Sequence, residues 1–380
     1  MNQILFLKHI LPFTLLTFAA FGQQTYEGRP ATRLANDKIE LLTVDKGGAF
    51  VSLRLLDDPK RINPMWEPAR MTRDAGGTPR FGDSMGHFVC VDGFGPVSPE
   101  ERKAGLENHG EAHRLLWEKT RQEKSGNKQT LAYKVTLPQV QETFTRQIEL
   151  VDGEQVVYVE SGLENLLAFD RPIVWAEHAT IGAPFLAPEI TVVDLSAGRC
   201  QTRPHNKQPS NRTLAPGVDF TYPFAPREDG TLRDLRFVPN PPNSMDHVGC
   251  AIDTNREHGF VTAINLKEKM MIGYLFRRTE FPWIQEWLNF PPSGQLSRGL
   301  EFGTQPYDIP RRDAISMGQM FGIPTYRWLP GKGQISSRFL MFWTRVPDGL
   351  NRVDDVSWKN GQLIITGNGQ KLTLPASLGL

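Results

Sequence analysis

From about residue 39 onward, apolar and polar positions alternate in short runs. In 130–137, Tyr133, Val135 and Leu137 are interleaved with Lys134 and Thr136, the period of two expected of a strand with one buried face. The same reading predicts strands over 39–44, 49–56, 130–137, 142–151, 155–160, 173–181, 189–195, 259–266, 270–276, 334–344, 362–366 and 371–374. Asp152-Gly153 and Asn368-Gly369 are turn dipeptides of the hairpin kind. No helical period extends beyond two or three turns. An all-β chain follows, with two large antiparallel sheets packed face to face as a β-sandwich.

Two stretches, 57–128 and 199–243, break the rhythm and read as lacking strands. Long irregular segments on a rigid β scaffold are where sites tend to sit. No Gly/Ser or Pro/Thr linker and no internal repeat divides the rest, so 23–380 is expected to form a single domain. Gly and Pro number 34 and 29 among the 380 residues, which suits short elements joined by turns.

Residues 1–22 read as a secretory signal peptide. Lys8 supplies the positive charge, 10–18 is mostly apolar, and Ala20-Phe21-Gly22 places small residues at the cleavage point. Lys8, His9 and Pro12 interrupt the segment, against a permanent anchor, and no later apolar run is long enough to span a bilayer. The expected location is the periplasm or the exterior of the cell, with no membrane span after cleavage. The 43 basic and 42 acidic residues nearly cancel, and no basic stripe is present, which argues against nucleic acid as a partner. Cys90, Cys200 and Cys250 show no C-x-x-C spacing. They read as small buried hydrophobes rather than a disulfide framework.

Five of the eight histidines stand in distinctive contexts: His87 in "GHFVCVDGFGP", His109 and His113 in "NHGEAH", His178 in "WAEHATIGAPF" and His247 in "SMDHVG". Imidazole titrates near neutral pH, so such a set suggests proton transfer or polar ligand recognition. His109-x-x-x-His113 has the spacing of two metal ligands on a helix, but Gly110 weakens a helix there and no third ligand stands at a recognisable distance. No metal is expected. The sequence has no His-Glu-x-x-His, no phosphate-binding glycine loop and no G-x-S-x-G elbow. In 282–306, Trp283 and Trp287 offer flat faces for sugar rings, with Glu286 and Glu301 as carboxylates beside them. Glu301 lies between Leu300 and Phe302, so if that apolar pair enters the core, Glu301 faces a groove.

The ordered motifs resemble the galactose mutarotase-like superfamily, which includes aldose 1-epimerases and glucose-6-phosphate 1-epimerases. "GGAFVSLRL" at 47–55 is similar to its opening hairpin and "NHGEAHRLLW" at 108–117 to its His-Gly-x-Ala-Arg signature. "RQIELVDGEQVVYVESGLEN" at 146–165 resembles its central strand pair. "WAEHATIGAPF" at 175–185 resembles the segment with the catalytic histidine, and "RGLEFGTQP" at 298–306 the strand with the catalytic glutamate.

The resemblance implies a large antiparallel sandwich, with His109 as a sugar-binding residue, His178 as general acid, Glu301 as general base and Asp246 as the sugar-binding aspartate. His113 and His87 stand where relatives carry arginine, and with Trp283, Trp287 and Glu286 they complete the expected sugar-binding set. Losing arginine disfavours phosphorylated sugars. The implied activity is a secreted aldose 1-epimerase that interconverts sugar anomers by acid/base ring opening, which needs no cofactor. A carbohydrate-binding protein without turnover, and a two-carboxylate glycoside-processing enzyme using Glu286 with Glu301, are the alternatives.

Overall fold

A computed structural model describes residues 24–79, 82–204 and 211–380; the expected signal segment lies outside the described residues. Two antiparallel sheets face one another. The twelve-stranded sheet begins with Gln24–Tyr26, Arg29–Ala35, Ile39–Val44 and Phe50–Leu55. It continues through His87–Val91, Trp175–Gly182, the paired short strands Ser297–Gly299 and Glu301–Gly303, Trp283–Phe290 and Ser244–Ile252, and ends with Ala197–Thr202 and Asp219–Thr221. The eight-stranded sheet runs from Thr191–Leu195 through His258–Asn265, Met270–Arg277, Gln334–Arg345 and Val156–Asn165 to Glu142–Val151, Lys128–Leu137 and Glu118–Ser125. The sandwich expected from the alternating pattern is therefore present.

The apolar runs 270–276 and 339–343 do not alternate because the eight-stranded sheet is covered on both faces. Ile272, Tyr274, Phe339, Met341 and Trp343 enter the core between the sheets. Met271, Leu275, Leu340 and Phe342 pack outward against Val356, Leu363, Ile365 and Leu374, which belong to a three-stranded C-terminal sheet, Asp355–Lys359, Gln362–Gly367 and Gln370–Pro375. Each fully buried large apolar side chain in these layers contributes roughly 1.5–3 kcal/mol.

The stretches 57–128 and 199–243 do contain strands, contrary to expectation. His87–Val91 is five buried residues with no polar partner position to mark a period. Glu118–Ser125, "EKTRQEKS", is an edge strand exposed over nearly its whole length, and its charges deter pairing with another chain. The second stretch contributes Ala197–Thr202 and the short pieces Asp219–Thr221, Phe224–Pro226 and Leu232–Asp234. Among the described residues, helices reach only seven residues, as in Pro68–Asp74 and Arg311–Met317, and none is long and apolar enough to cross a membrane.

Cysteine usage also departs from expectation. Cys200 and Cys250 lie opposite one another on neighbouring strands and form a disulfide; only Cys90 is a free, buried thiol. Adjacency of these two strands brings the sulfurs together across 50 residues of sequence.

The inter-sheet core contains charge. Glu177 projects inward and is met by Arg146 Nη2 at 2.5 Å, His87 Nε2 at 2.9 Å and Trp175 Nε1 at 3.2 Å. All four side chains are fully buried. Burial opposes ionisation of Glu177, but the Arg146 charge and the bonds from His87 and Trp175 outweigh it and hold its pKa below the usual carboxylate value.

Candidate functional site

Neighbouring residues on a strand face opposite sides, so the strand that sends Glu177 inward sends His178 outward. Register aligns His178 with Phe88 on one neighbouring strand. The rings stack at 4.2 Å and 20°. Glu301 pairs in register with Gln285, and His247 with Trp287, which puts Glu301, His247 and Trp287 on the same outer face. Leu300 and Phe302 enter the core on either side of Glu301. A Cβ on Gly299 would lie 2.3 Å from Glu301 Oε1, so glycine there leaves room for the carboxyl group.

These residues help enclose a cavity of about 280 Å³ lined by Trp66, Ser84, Phe88, His109, His178, His247, Trp287, Glu301 and Asp308. His178 Nε2 is 3.2 Å from Glu301 Oε1, and His247 Nε2 is 3.9 Å from Glu301 Oε2 and 3.4 Å from Asp308 Oδ1. Arg203 Nη1 lies 3.1 Å from the other Asp308 oxygen. Both Glu301 oxygens are buried without a hydrogen bond from any described residue. Trp66 and Trp287 meet edge to face at 5.6 Å and with Phe88, stacked on His178, form an aromatic wall beside the polar groups. Among the described residues, no group of three or more His, Cys, Asp or Glu is arranged to hold a metal ion.

His109 reaches the cavity from a backbone with φ 65°. The following Gly110 bridges to Val91, and a Cβ there would meet the Val91 carbonyl oxygen at 2.1 Å. The Gly95 N–H donates to His109 Nδ1 at 3.2 Å. With Nδ1 an acceptor and burial pushing the pKa down to about 4, the neutral ring carries its proton on Nε2, ready to donate. Burial, reinforced by the neighbouring His109, holds His178 well below its ordinary value. Burial, reinforced by the charges of Asp308 and Glu286, raises Glu301 well above its ordinary value.

Of the residues singled out from the sequence, the structure brings His109, His178, His247, Trp287 and Glu301 to one cavity and places the others elsewhere. His87 faces the inter-sheet core, bonded to Glu177 and stacked on Phe339. Glu286 also points inward, in an ion pair with buried Arg298, so Glu286 and Glu301 do not form a carboxylate pair across one cleft. Asp246 accepts the backbone N–H groups of Thr213 and Leu214 and pairs with Arg233, anchoring a loop while its neighbour His247 takes the cavity face. Trp283 shares the face of Trp287 but is buried beneath Phe321 and Ile323, donating to the Pro324 carbonyl. His113 lies one layer behind His109, ring centroids 5.9 Å apart, and receives a hydrogen bond from Arg114.

Trp66, Phe88 and Asp308 were not singled out from the sequence. Trp66 does fall in the 57–128 stretch marked as functional, and Asp308 follows the Glu301 strand in "TQPYDIP".

Buried neutral imidazoles make the fold acid-sensitive. The pKa values of His109 and His113 lie near 4 when folded and about 6.5 when unfolded. Below pH 6.5 the unfolded chain therefore binds protons that the folded chain refuses, and stability falls until about pH 4. The loss is about 3 kcal/mol for each. Thermal unfolding from pH 7 to 4 should show a steep drop in midpoint, shallower in His109→Asn; a flat profile to pH 4.5 would contradict burial of these rings.

No family model matches the chain, and no curated protein matches its sequence. Solved structures do match its fold. A galactose mutarotase-like protein from Clostridium acetobutylicum superposes with a TM-score of 0.59 at 13% identity, over 84% of this chain and 96% of that one. A galactose mutarotase related enzyme from Lactobacillus acidophilus gives 0.57 at 12% identity, over 84% and 98%. A candidate aldose 1-epimerase from Klebsiella pneumoniae gives 0.59 at 11% identity, over 84% and 80%. The chain therefore has the galactose mutarotase-like fold.

Proposed function

We propose that this chain, built on the galactose mutarotase-like fold, binds a single pyranose in the cavity and interconverts its anomers. The observation that carries this reading is Glu301. A buried carboxyl group without a hydrogen bond to either oxygen leaves a strong acceptor unsatisfied, and Glu301 has an imidazole on each side of it. Such an arrangement is costly for the fold and useful for proton transfer. The aromatic wall of Trp66, Phe88 and Trp287 suits the C–H face of a pyranose, and His109 Nε2–H and His247 suit its hydroxyl groups. At about 280 Å³, the cavity is at the small end of ligand sites and fits one ring.

In this mechanism Glu301, as carboxylate, removes the proton from the anomeric hydroxyl while His178, as imidazolium, protonates the ring oxygen. The C1–O5 bond breaks, leaving an aldehyde at C1. Rotation about C1–C2 presents the other carbonyl face, and reclosure returns both protons. Burial disfavours the charged form of both groups, so the reactive form arises when the single proton of the pair shifts from Glu301 to His178. A second proton taken up in acid removes the base, and loss of the proton in alkali removes the acid, so activity should be bell-shaped in pH.

Export to the periplasm or cell exterior is part of this proposal. The Cys200–Cys250 disulfide supports it, because cytosolic thiols are generally kept reduced.

The test is saturation-transfer proton NMR of anomer exchange on the purified exported protein with a panel of neutral aldoses. Acceleration for one sugar, with a bell-shaped pH profile, is the expected result. Sugar binding without acceleration would replace catalysis with recognition.

A further inference from the structure

A second cavity, of about 790 Å³, lies beside the segment 317–328, away from the Glu301 cavity. Two fixed groups define it. Trp328 is 57% exposed but not loosely held. Its strand, Arg327–Leu329, pairs with Arg171–Ile173, placing Trp328 opposite Pro172, while the next residue, Leu329, is fully buried. Tyr326 braces the indole edge to face at 5.7 Å and 82°. An exposed indole held this way loses little freedom when a sugar ring stacks on it.

The second group is Arg278. Its backbone N–H donates to the Glu257 carbonyl and its Nε to the Arg256 carbonyl at 2.8 Å, which fixes the guanidinium. It makes no ion pair among the described residues. The nearby carboxylate of Glu280, also on the cavity wall, is occupied on one oxygen by Arg277 and on the other by the Arg338 backbone N–H. The terminal nitrogens of Arg278 are thus left for a planar anion, which guanidinium recognises as a fork. Gln319 adds a neutral hydrogen-bonding group to the same wall.

We infer that this groove is a second carbohydrate site that takes an acidic glycan, with a uronate ring stacked on Trp328 and its carboxylate held by Arg278. The inference rests on the reading of the protein as sugar-handling and extends it from a single ring to a chain. A volume of about 790 Å³ accommodates more than one ring, unlike the catalytic cavity. The groove shares no lining residue with that cavity, so the two sites can be separated by substitution.

Binding of short oligogalacturonates, neutral gluco-oligosaccharides of matched length and sulfated chains is measured by saturation-transfer difference NMR and calorimetry. The proteins are the parent, Trp328→Ala, Arg278→Gln and Trp287→Ala. Oligogalacturonate should bind in preference to the neutral chains. Trp328→Ala and Arg278→Gln should each weaken that binding about tenfold, while Trp287→Ala leaves it intact. Thermal midpoints should be unchanged in Trp328→Ala, whose indole is largely outside the core. Unaltered binding in Trp328→Ala, preference for neutral or sulfated chains, or loss in Trp287→Ala instead, would each overturn the assignment. Monosaccharide anomer exchange is followed in the same variants. If no sugar shows exchange yet oligogalacturonate binding depends on Trp328 and Arg278, the catalytic reading fails while the groove stands. Exchange without oligogalacturonate binding gives the converse.

Discussion

Glu301→Gln should abolish acceleration of anomer exchange and at the same time make the folded protein more resistant to unfolding as pH rises. The carboxamide has the shape of the carboxyl group and fits the space left by Gly299, but it cannot accept the anomeric proton. A positioned acid/base group contributes about 10²–10⁴ in rate, so a loss of that size is expected. The stability gain follows from burial, which raises the pKa of Glu301 in the folded state. Between the ordinary carboxylate pKa and this raised value, the folded chain holds a proton that the unfolded chain has released. Stability of the parent therefore falls as pH rises through that window. Gln has no proton to lose, so the variant should pull ahead of the parent as pH rises. Anomer exchange and unfolding midpoints measured on the same samples at several pH values check both halves. Undiminished exchange would remove Glu301 from the mechanism; a stability difference that does not vary with pH would show that Glu301 is not held protonated.

Arg146→Met should destabilise the fold by about 3–5 kcal/mol, the usual result of stranding one partner of a buried pair. Arg146 and Glu177 are both fully buried between the sheets, and Arg146 supplies the charge that keeps Glu177 ionised. Without it, Glu177 must remain an uncompensated carboxylate or take up a proton, and the bond from His87 was made to the ionised form. The strand that carries Glu177 inward carries His178 into the cavity at the next position, so the damage should reach the cavity as well. Adding Glu177→Gln to Arg146→Met should recover most of the loss, because the stranded charge is then gone. Urea and thermal unfolding of the two variants check this. A loss under about 1 kcal/mol in Arg146→Met would mean that water relieves Glu177 and that this buried cluster is not sealed.

Much of the fold was legible along the chain. The strands over 39–44, 142–151 and 270–276 are found within a residue of their expected ends, because alternation and apolar runs report burial directly. Strands without that signal were missed. Glu118–Ser125 is polar on both faces, and Ser244–Ile252 mixes site residues into its pattern. The site was partly legible for a related reason. His109, His178 and Glu301 stood in motifs whose order resembled a known family, and the pairing of Leu300 with Phe302 indicated which way Glu301 would turn.

What the sequence by itself determined is the presence of many short strands and the side-by-side order of ionisable residues: His87 before Phe88, Glu177 before His178, Asp246 before His247, Glu286 before Trp287. Which member of each pair enters the cavity was decided only by the tertiary structure. Adjacent strand residues point to opposite faces, and strands that are buried on both faces carry no polar-to-apolar alternation to say which face meets the second sheet. Packing behind the twelve-stranded sheet made that choice, with Arg146 meeting Glu177, Arg298 meeting Glu286, and Thr213, Leu214 and Arg233 meeting Asp246, which leaves Phe88, His178, His247 and Trp287 toward the cavity. The difference between Trp283 and Trp287, which share a face, was set by the segment around Phe321 and Ile323 folding over one and not the other. The disulfide has the same origin, since only strand pairing placed Cys200 opposite Cys250.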